Sequence, residues 1–413
     1  MTEAPAQPRR LLVRDLAQLA TPAPASGPMR GAHAGDVTIL EGAYVLCEAG
    51  RVVEVGSMRK LGPLEGGDVE ELDGSGRCAI PGLVDCHTHA CFVGDRVEEF
   101  ALRARGATYE ELHAAGGGIL STVEATRAAG EEALVDAVTR HRDAMRRHGT
   151  TTFEAKSGYG LDRETELASL RAIRAARGVP TWLGAHAIPP EFDDGDAYLD
   201  FALAEVLPDA ARLAAAADVF LERNAFDATQ ARRYLSACRE TGLALRLHGD
   251  QFTEAGTIPL AIELGARSVD HLEATGDAGV DALAASDVTA VLLPASALFL
   301  GRPMPRARDL LDRGAIVALA TDFNPGSAYC ESLPLVASLA ATQLRMGLEE
   351  ILCALTVNPA RVLGCADRKG RLAPGYDADL VLLGEPDWRY LAYHLAGDVV
   401  DAVLLGGEPL ALG

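Results

Sequence analysis

From residue 81 to about residue 362 the chain repeats one pattern, a short apolar run followed by a longer Ala/Arg/Glu-rich stretch of helical character. The apolar runs are LVDC (83–86), TTFEA (151–155), TWLGA (181–185), DVFLE (218–222), LALRL (243–247), SVD (268–270), AVLL (290–293) and IVALA (316–320). Between them lie segments such as ETELASLRAIRAAR (164–177) and ATQARRYLSACRE (228–240). Strands alternating with helices predict a parallel sheet, and eight of them predict a closed (β/α)8 barrel. An open doubly wound sheet usually carries GxGxxG at its first turn, and none follows the first run here.

The two ends have a different texture. VTILEGAYVLCEAGRVVEV (37–55) reads as β-rich runs broken by Glu-Gly and Ala-Gly turns, and GRLAPGYDADLVLLG (370–384) and DVVDAVLLGGEPL (398–410) resemble it. The prediction is therefore an α/β chain: a TIM-like barrel over 81–362, and a small composite β domain assembled from 1–80 and 363–413.

Composition narrows the picture. The 413 residues carry 38 Lys and Arg against 59 Asp and Glu, a net charge of -21. A nucleic-acid partner needs a basic face to displace counterions, so no nucleic acid is expected. With 48% hydrophobic residues against 23% charged, the chain can bury a large core. No stretch reaches the roughly 18 apolar residues of a membrane span, and no membrane partner is expected. The apolar stretch near Arg9 and Arg10 is cut by Arg14, Asp15 and Gln18, which reads as an ordinary N-terminal segment and not a signal peptide. Eight scattered cysteines without a CxxC pair suit a reduced, cytoplasmic protein.

The polar residues that follow the apolar runs carry the chemistry. His87 and His89 follow the first run, Lys156, Ser157 and Tyr159 the second, and His186 the third; Glu222, His248, His271 and Asp322 end later ones. A barrel's site lies at the C-terminal ends of its strands. One buried histidine is usually a packed core residue; five histidines and an aspartate, each at a strand end, are hard to explain as packing. His87 and His89, two residues apart, can face one side of a strand. With His248 and the Asp322 carboxylate they form an N3O donor set suited to a zinc- or iron-like divalent ion.

Those motifs resemble a known family. PGLVDCHTH, LRLHGD, VDHL and ALATD look like the barrel motifs of the metal-dependent amidohydrolase superfamily. More narrowly, GDRVEEFALRARGATYEELHAAGGGI (94–119), KSGYGL (156–161), LGAHAIPPEF (183–192) and ATDFNPGS (320–327) resemble the imidazolonepropionase family. The resemblance runs from about residue 37 to the end. It implies a homodimeric hydrolase with one divalent metal ion per subunit, Zn2+ or Fe, acting on a small molecule, 4-imidazolone-5-propanoate. The ring C–N bond would open to give N-formimidoyl-L-glutamate in histidine degradation.

Residue by residue, the resemblance makes His87, His89, His248 and Asp322 metal ligands. Arg96, Tyr159, His186, Gln251, Asn324, Gly326 and Ser327 become substrate-binding positions. A propionate tail needs a cation and a hydroxyl, which Arg96 and Tyr159 supply. Asp322 would take the proton of the attacking water, with His271 orienting it or stabilising the oxyanion. Gln251 joins the catalytic set, but a glutamine only hydrogen-bonds and moves no proton. Some amidohydrolases carry a carboxylated lysine bridging two metals; in its KSGYG context Lys156 is expected to be structural or ion-pairing. A nucleobase deaminase of the same superfamily is the nearest rival, and a plain nucleobase offers Arg96 no carboxylate. A non-catalytic scaffold would have no need of the donor set.

Weaker signals go to bland readings. Gly116, Gly117 and Gly118 could cradle an anion at a helix start or form a loop before an N-cap at Ser121 or Thr122. Cys86 reads as packing, and no base is assigned to Cys91 or Cys330. His33, His113, His141, His148 and His394 read as surface residues, and Glu98-Glu99 and Glu131-Glu132 as solvated faces. An acidic surface repels an anionic substrate at long range, so local positive charge has to prevail in the pocket.

Overall fold

The computed structural model describes residues 10–25, 27–64, 69–106, 118–223 and 225–411. Two sheets organise it. The first is built from the ends of the chain: β1 (Arg10–Pro22), β2 (Val37–Glu48), β3 (Arg51–Ser57), β4 (Val69–Asp73) and β5 (Cys78–Pro81). The second holds eight parallel strands, β6 (Leu83–Asp85), β7 (Thr150–Lys156), β8 (Val179–Ala185), β9 (Ala216–Leu221), β10 (Ala244–Gly249), β11 (Ser268–His271), β12 (Thr289–Leu292) and β13 (Ile316–Leu319). Then β14 (Leu380–Leu383), β15 (Val400–Leu405) and β16 (Glu408–Pro409) return to the first sheet, whose order is β16-β15-β14-β5-β1-β2-β3 with β4 beside β1. Every apolar run of the middle region lies on one of the eight parallel strands, and the Ala228–Glu240 helix coincides with its predicted segment.

The N-terminal segment supplies a strand of this terminal sheet that no apolar run had marked. Residues 10–22 form the longest strand of the terminal sheet, pairing with β2, β4 and β5. Arg14 and Asp15, which seemed to break the run, sit at a bulge between Val13 and Leu16, with Asp15 at φ 57. A bulge lets two polar residues pass without turning the flanking Leu11–Val13 and Leu16 out of the core.

The two sheets meet at Gly82, between β5 and β6. Its N–H bonds to Asp379 O at 2.8 Å, and a Cβ there would stand 2.2 Å from Thr151 Oγ1, so only glycine lets the chain pass from one sheet to the other here. The barrel closes between its first and last strands beyond their regular ends. Thr88 bridges Phe323, Asp322 N–H donates to His87 O at 3.0 Å, and His89 N–H donates to Phe323 O at 2.9 Å. The seam is thus zipped by the residues that carry the chemistry.

Candidate metal centre and substrate pocket

Three strand ends and the barrel seam bring His87, His89, His248 and Asp322 together. Asp322 Oδ1 lies 3.4 Å from His87 Nε2 and 3.5 Å from His89 Nε2, and His248 Nε2 lies 3.2 Å from His89 Nε2. The donor atoms of His87, His89 and Asp322 are all within 4.8 Å of one another, as are those of His87, His248 and His271.

Buried carboxylates set which nitrogen of each ring faces the centre. His87 Nδ1 meets Asp270 Oδ2 at 2.5 Å and His248 Nδ1 meets Asp218 Oδ1 at 3.0 Å, so each ring donates backwards and offers its Nε2 lone pair forwards. Burial and neighbouring positive charge push the pKa of His87 well below the ordinary value; burial and the adjacent histidines do the same for His89. Neutral imidazoles are the form that ligates metal. His87 Nε2 and Asp322 Oδ1 are buried and have no hydrogen-bond partner among the described residues. Converging acceptors without a donor repel one another unless a cation sits between them, so the donor set fits a divalent ion.

The backbone is strained where it serves this centre. His271 has φ 88, Leu272 φ 72 and Asp322 φ 55, left-handed values that non-glycine residues rarely adopt. At β11 this breaks the strict alternation of a strand and lets Asp270 and His271, neighbours in sequence, both serve the centre. His271 Nδ1 is 3.5 Å from Glu273 Oε1, both side chains almost closed to solvent. Burial alone would lower the pKa of His271, but the charges of Glu273, Asp322 and Asp270 outweigh it and raise it.

The substrate-position residues ring this cluster. Tyr159 and His186 lie against His89, with ring centroids 5.9 and 5.2 Å from it. His186 Nδ1 bonds Gly158 O at 2.9 Å, and burial drives its pKa down to about 3. Burial raises the pKa of the Tyr159 hydroxyl, an effect the nearby charge of Arg96 opposes. Gln251 is buried in the loop after β10. That loop is held by Glu222, whose carboxylate accepts from Phe252 N at 2.9 Å, Thr253 N at 3.1 Å and the Thr253 hydroxyl. Glu222 is therefore a loop anchor, and Lys156 is clamped between Glu154 (2.7 Å) and Asp218 (2.9 Å).

Arg96 packs against Gly326 so closely that a Cβ at 326 would stand 2.1 Å from Nη1. Its Nε and Nη2 bond Glu99 at 2.8 and 2.7 Å. Glu99 also takes Arg103 (3.3 Å) and Gly118 N (2.8 Å), so it belongs to the pocket wall and is not a solvated face. Asn324 is used up inside its own loop: Nδ2 donates to Asp322 O and Ser327 Oγ, and Oδ1 accepts from Gly326 N and Ser327 N. It shapes the loop that carries Asp322, and Ser327 Oγ is 3.4 Å from Asp322 Oδ2.

Other readings change. His141 is not a surface residue: its Nδ1 donates to Ala90 O at 2.8 Å and its ring stacks on Phe92, centroids 4.7 Å apart. His148 is half-buried, whereas His33 and His394 are exposed. Cys86 packs with Val291, Leu293, Ala318 and Ala320. Gly118 is itself the N-cap of the Ile119–Arg147 helix, without a side-chain cap from Ser121 or Thr122. His113, Gly116 and Gly117 lie outside the described residues. Sequence reading missed Glu154, Asp218, Arg246, Asp270 and Glu273. The signal was present for two of them, since Glu154 and Arg246 stand two residues before Lys156 and His248 and so share their faces of the strands.

Residues 78–409 match the model of the amidohydrolase family, a span that contains every residue of the site. The zinc-bound adenosine deaminase of Xanthomonas campestris has the same fold, with a TM-score of 0.70 at 20% identity over 98% of this chain and 93% of that one. In sequence the chain is 57% identical to the imidazolonepropionase of Rubrobacter xylanophilus, over 98% of this chain and 99% of the relative. It is 44% identical to that of Chloroflexus aggregans, over 97% and 98%. The chain belongs to the amidohydrolase family and, within it, to the imidazolonepropionases.

Proposed function

We propose that the protein hydrolyses the ring amide of 4-imidazolone-5-propanoate to N-formimidoyl-L-glutamate, with His87, His89, His248 and Asp322 holding one divalent ion, Zn2+ or Fe. The observation that carries the substrate reading is the seating of Arg96 on Gly326, which puts a guanidinium beside the loop bearing Asp322. A carboxylate tail bound there by Arg96 and the Tyr159 hydroxyl directs the ring towards the donor cluster. A nucleobase offers that guanidinium no carboxylate to pair with.

A bound divalent ion supplies carbonyl polarisation and a water of lowered pKa. The remaining work falls to side chains. Asp322 faces the cluster with Oδ1, and its Oδ2, beside Ser327, receives the proton of the attacking water. His271, held by Glu273, donates to the oxygen on which negative charge develops. As the C–N bond breaks, Asp322 returns its proton to the leaving ring nitrogen, and water has been added across the bond. Gln251 hydrogen-bonds the ring amide, and His186 keeps a neutral ring edge beside it.

The test is to follow the loss of 4-imidazolone-5-propanoate absorbance with metal-analysed protein. Stoichiometric transition metal and turnover are expected. Metal-loaded protein that ignores this substrate and deaminates a nucleobase would favour the rival. We further infer a homodimer, supported by the family resemblance and tested by light scattering, and a cytoplasmic setting, supported by eight unpaired cysteines.

A further inference from the structure

Inside the barrel, below the donor cluster, five charged side chains closed to solvent run from one candidate ligand to another. His87 Nδ1 meets Asp270 Oδ2 at 2.5 Å, and Arg246 Nη2 meets the same oxygen at 2.7 Å. Arg246 Nη1 meets Glu154 Oε1 at 2.9 Å, and Lys156 Nζ meets that oxygen at 2.7 Å. Lys156 Nζ also meets Asp218 Oδ2 at 2.9 Å, and Asp218 Oδ1 meets His248 Nδ1 at 3.0 Å. The signs alternate, carboxylate, guanidinium, carboxylate, ammonium, carboxylate, with an imidazole at each end. Glu154 has a third partner: its Oε2 accepts from Thr88 N at 3.0 Å, on the backbone between His87 and His89.

Burying five ions is costly, and apolar residues fill the same layer of other barrels at no such cost. A purely structural explanation leaves unexplained why the chain of charges ends on the two imidazoles. Arg246 is its only member that presses on two carboxylates with two different nitrogens. Its fork fixes the position of Asp270, which orients His87, relative to Glu154, which holds both Thr88 and Lys156 and, through Lys156, the Asp218 that orients His248.

We propose that Arg246 is a positioning residue of the metal centre, tying the His87 and His248 rings into one rigid unit so that both Nε2 atoms aim at a common point. The proposal rests on the reading of His87, His89, His248 and Asp322 as metal ligands. Arg246 touches neither metal nor substrate; it acts through Asp270 and Glu154.

The test uses the full-length protein stripped of metal and reloaded with Co2+ alone. Affinity is read by chelator competition, ligand geometry by the visible absorption of bound cobalt, and folding by circular dichroism of the metal-free form. Arg246→Met removes the fork, and Arg246→Lys keeps the charge but cannot reach both carboxylates in one plane. Arg246→Met is expected to bind Co2+ roughly 10–100-fold more weakly than the wild type, as loss of a ligand-orienting partner does, with a changed spectrum. Arg246→Lys should fold normally and fall between the two. A folded variant with cobalt affinity within about twofold of wild type and an unchanged spectrum would overturn the proposal. So would failure of both variants to fold without metal, since that makes Arg246 a stability residue. Wild-type protein that takes up no cobalt would sink the ligand assignment itself, and the positioning role with it. Firm wild-type binding with an indifferent Arg246 sinks the positioning role alone.

Discussion

Below the donor cluster, Glu154, Lys156, Asp218, Arg246 and Asp270 come from strands and are sealed from solvent, and each is held by charged partners on its own strand or on other barrel strands. At the rim, Arg96, Asn324 and Ser327 stand at a helix start and in a loop, Arg96 and Ser327 partly reached by solvent and Asn324 buried, and are held mostly by hydrogen bonds within a few residues of themselves. Two kinds of support imply two kinds of duty. Strands of a packed barrel cannot shift singly, so groups on them fix where charge develops in the reaction. A loop stitched by its own Asn324 can keep its shape while its contacts select the ligand.

Substitutions divide along this line. The largest loss is expected for Asp322→Asn, where the barrel interior meets the rim. It should cut kcat by roughly 10²–10⁴-fold and lower bound metal in elemental analysis. Activity within tenfold of wild type would remove Asp322 from proton transfer. On the rim, Arg96→Ala should raise KM about 10–100-fold through loss of charge-assisted hydrogen bonds, with a smaller change in kcat. A drop confined to kcat would instead place Arg96 with the interior groups.

Gly326→Ala sharpens the same contrast without touching a functional group. The added Cβ would meet Arg96 Nη1 at 2.1 Å and push the guanidinium aside. We expect about a tenfold loss in kcat/KM with unchanged metal content; loss of metal would show that the rim and the interior are not separable.

The smallest effect concerns stability. His186 is held neutral by burial with a pKa of about 3, below its unfolded value near 6.5, so the unfolded chain binds the extra proton between those limits. Its contribution is complete above about pH 6.5 and is lost as pH falls towards 3. The urea midpoint of metal-free protein should therefore fall between pH 7.5 and 5, and less steeply in His186→Gln. Equal slopes would mean that other buried histidines dominate.

The periodic part of the molecule was legible along the chain because each barrel strand is buried on both faces and declares itself as an apolar run. Strand β1 was not, because a bulge at Arg14 and Asp15 hides its continuity. The HxH pair, His248, His271 and Asp322 stood out because strand ends are where polar residues interrupt apolar text. Glu99 was misread because a pair of glutamates looks solvated until two arginines are found on one of them.

The amino-acid sequence by itself determined the order of strands and helices, the donor types at the strand ends and the family. Those follow from local periodicity and from residue chemistry, which need no third dimension. Only the tertiary structure decided which nitrogen each imidazole offers, that Asn324 is spent within its loop, that Arg96 rests on Gly326, and that Arg246 links the partners of two histidines. The Asn324 bonds are local but form only one of several turns its residues could take. The other facts depend on groups tens to hundreds of residues apart meeting within about 3 Å, a distance that hydrogen bonding and charge reward only after the barrel has closed.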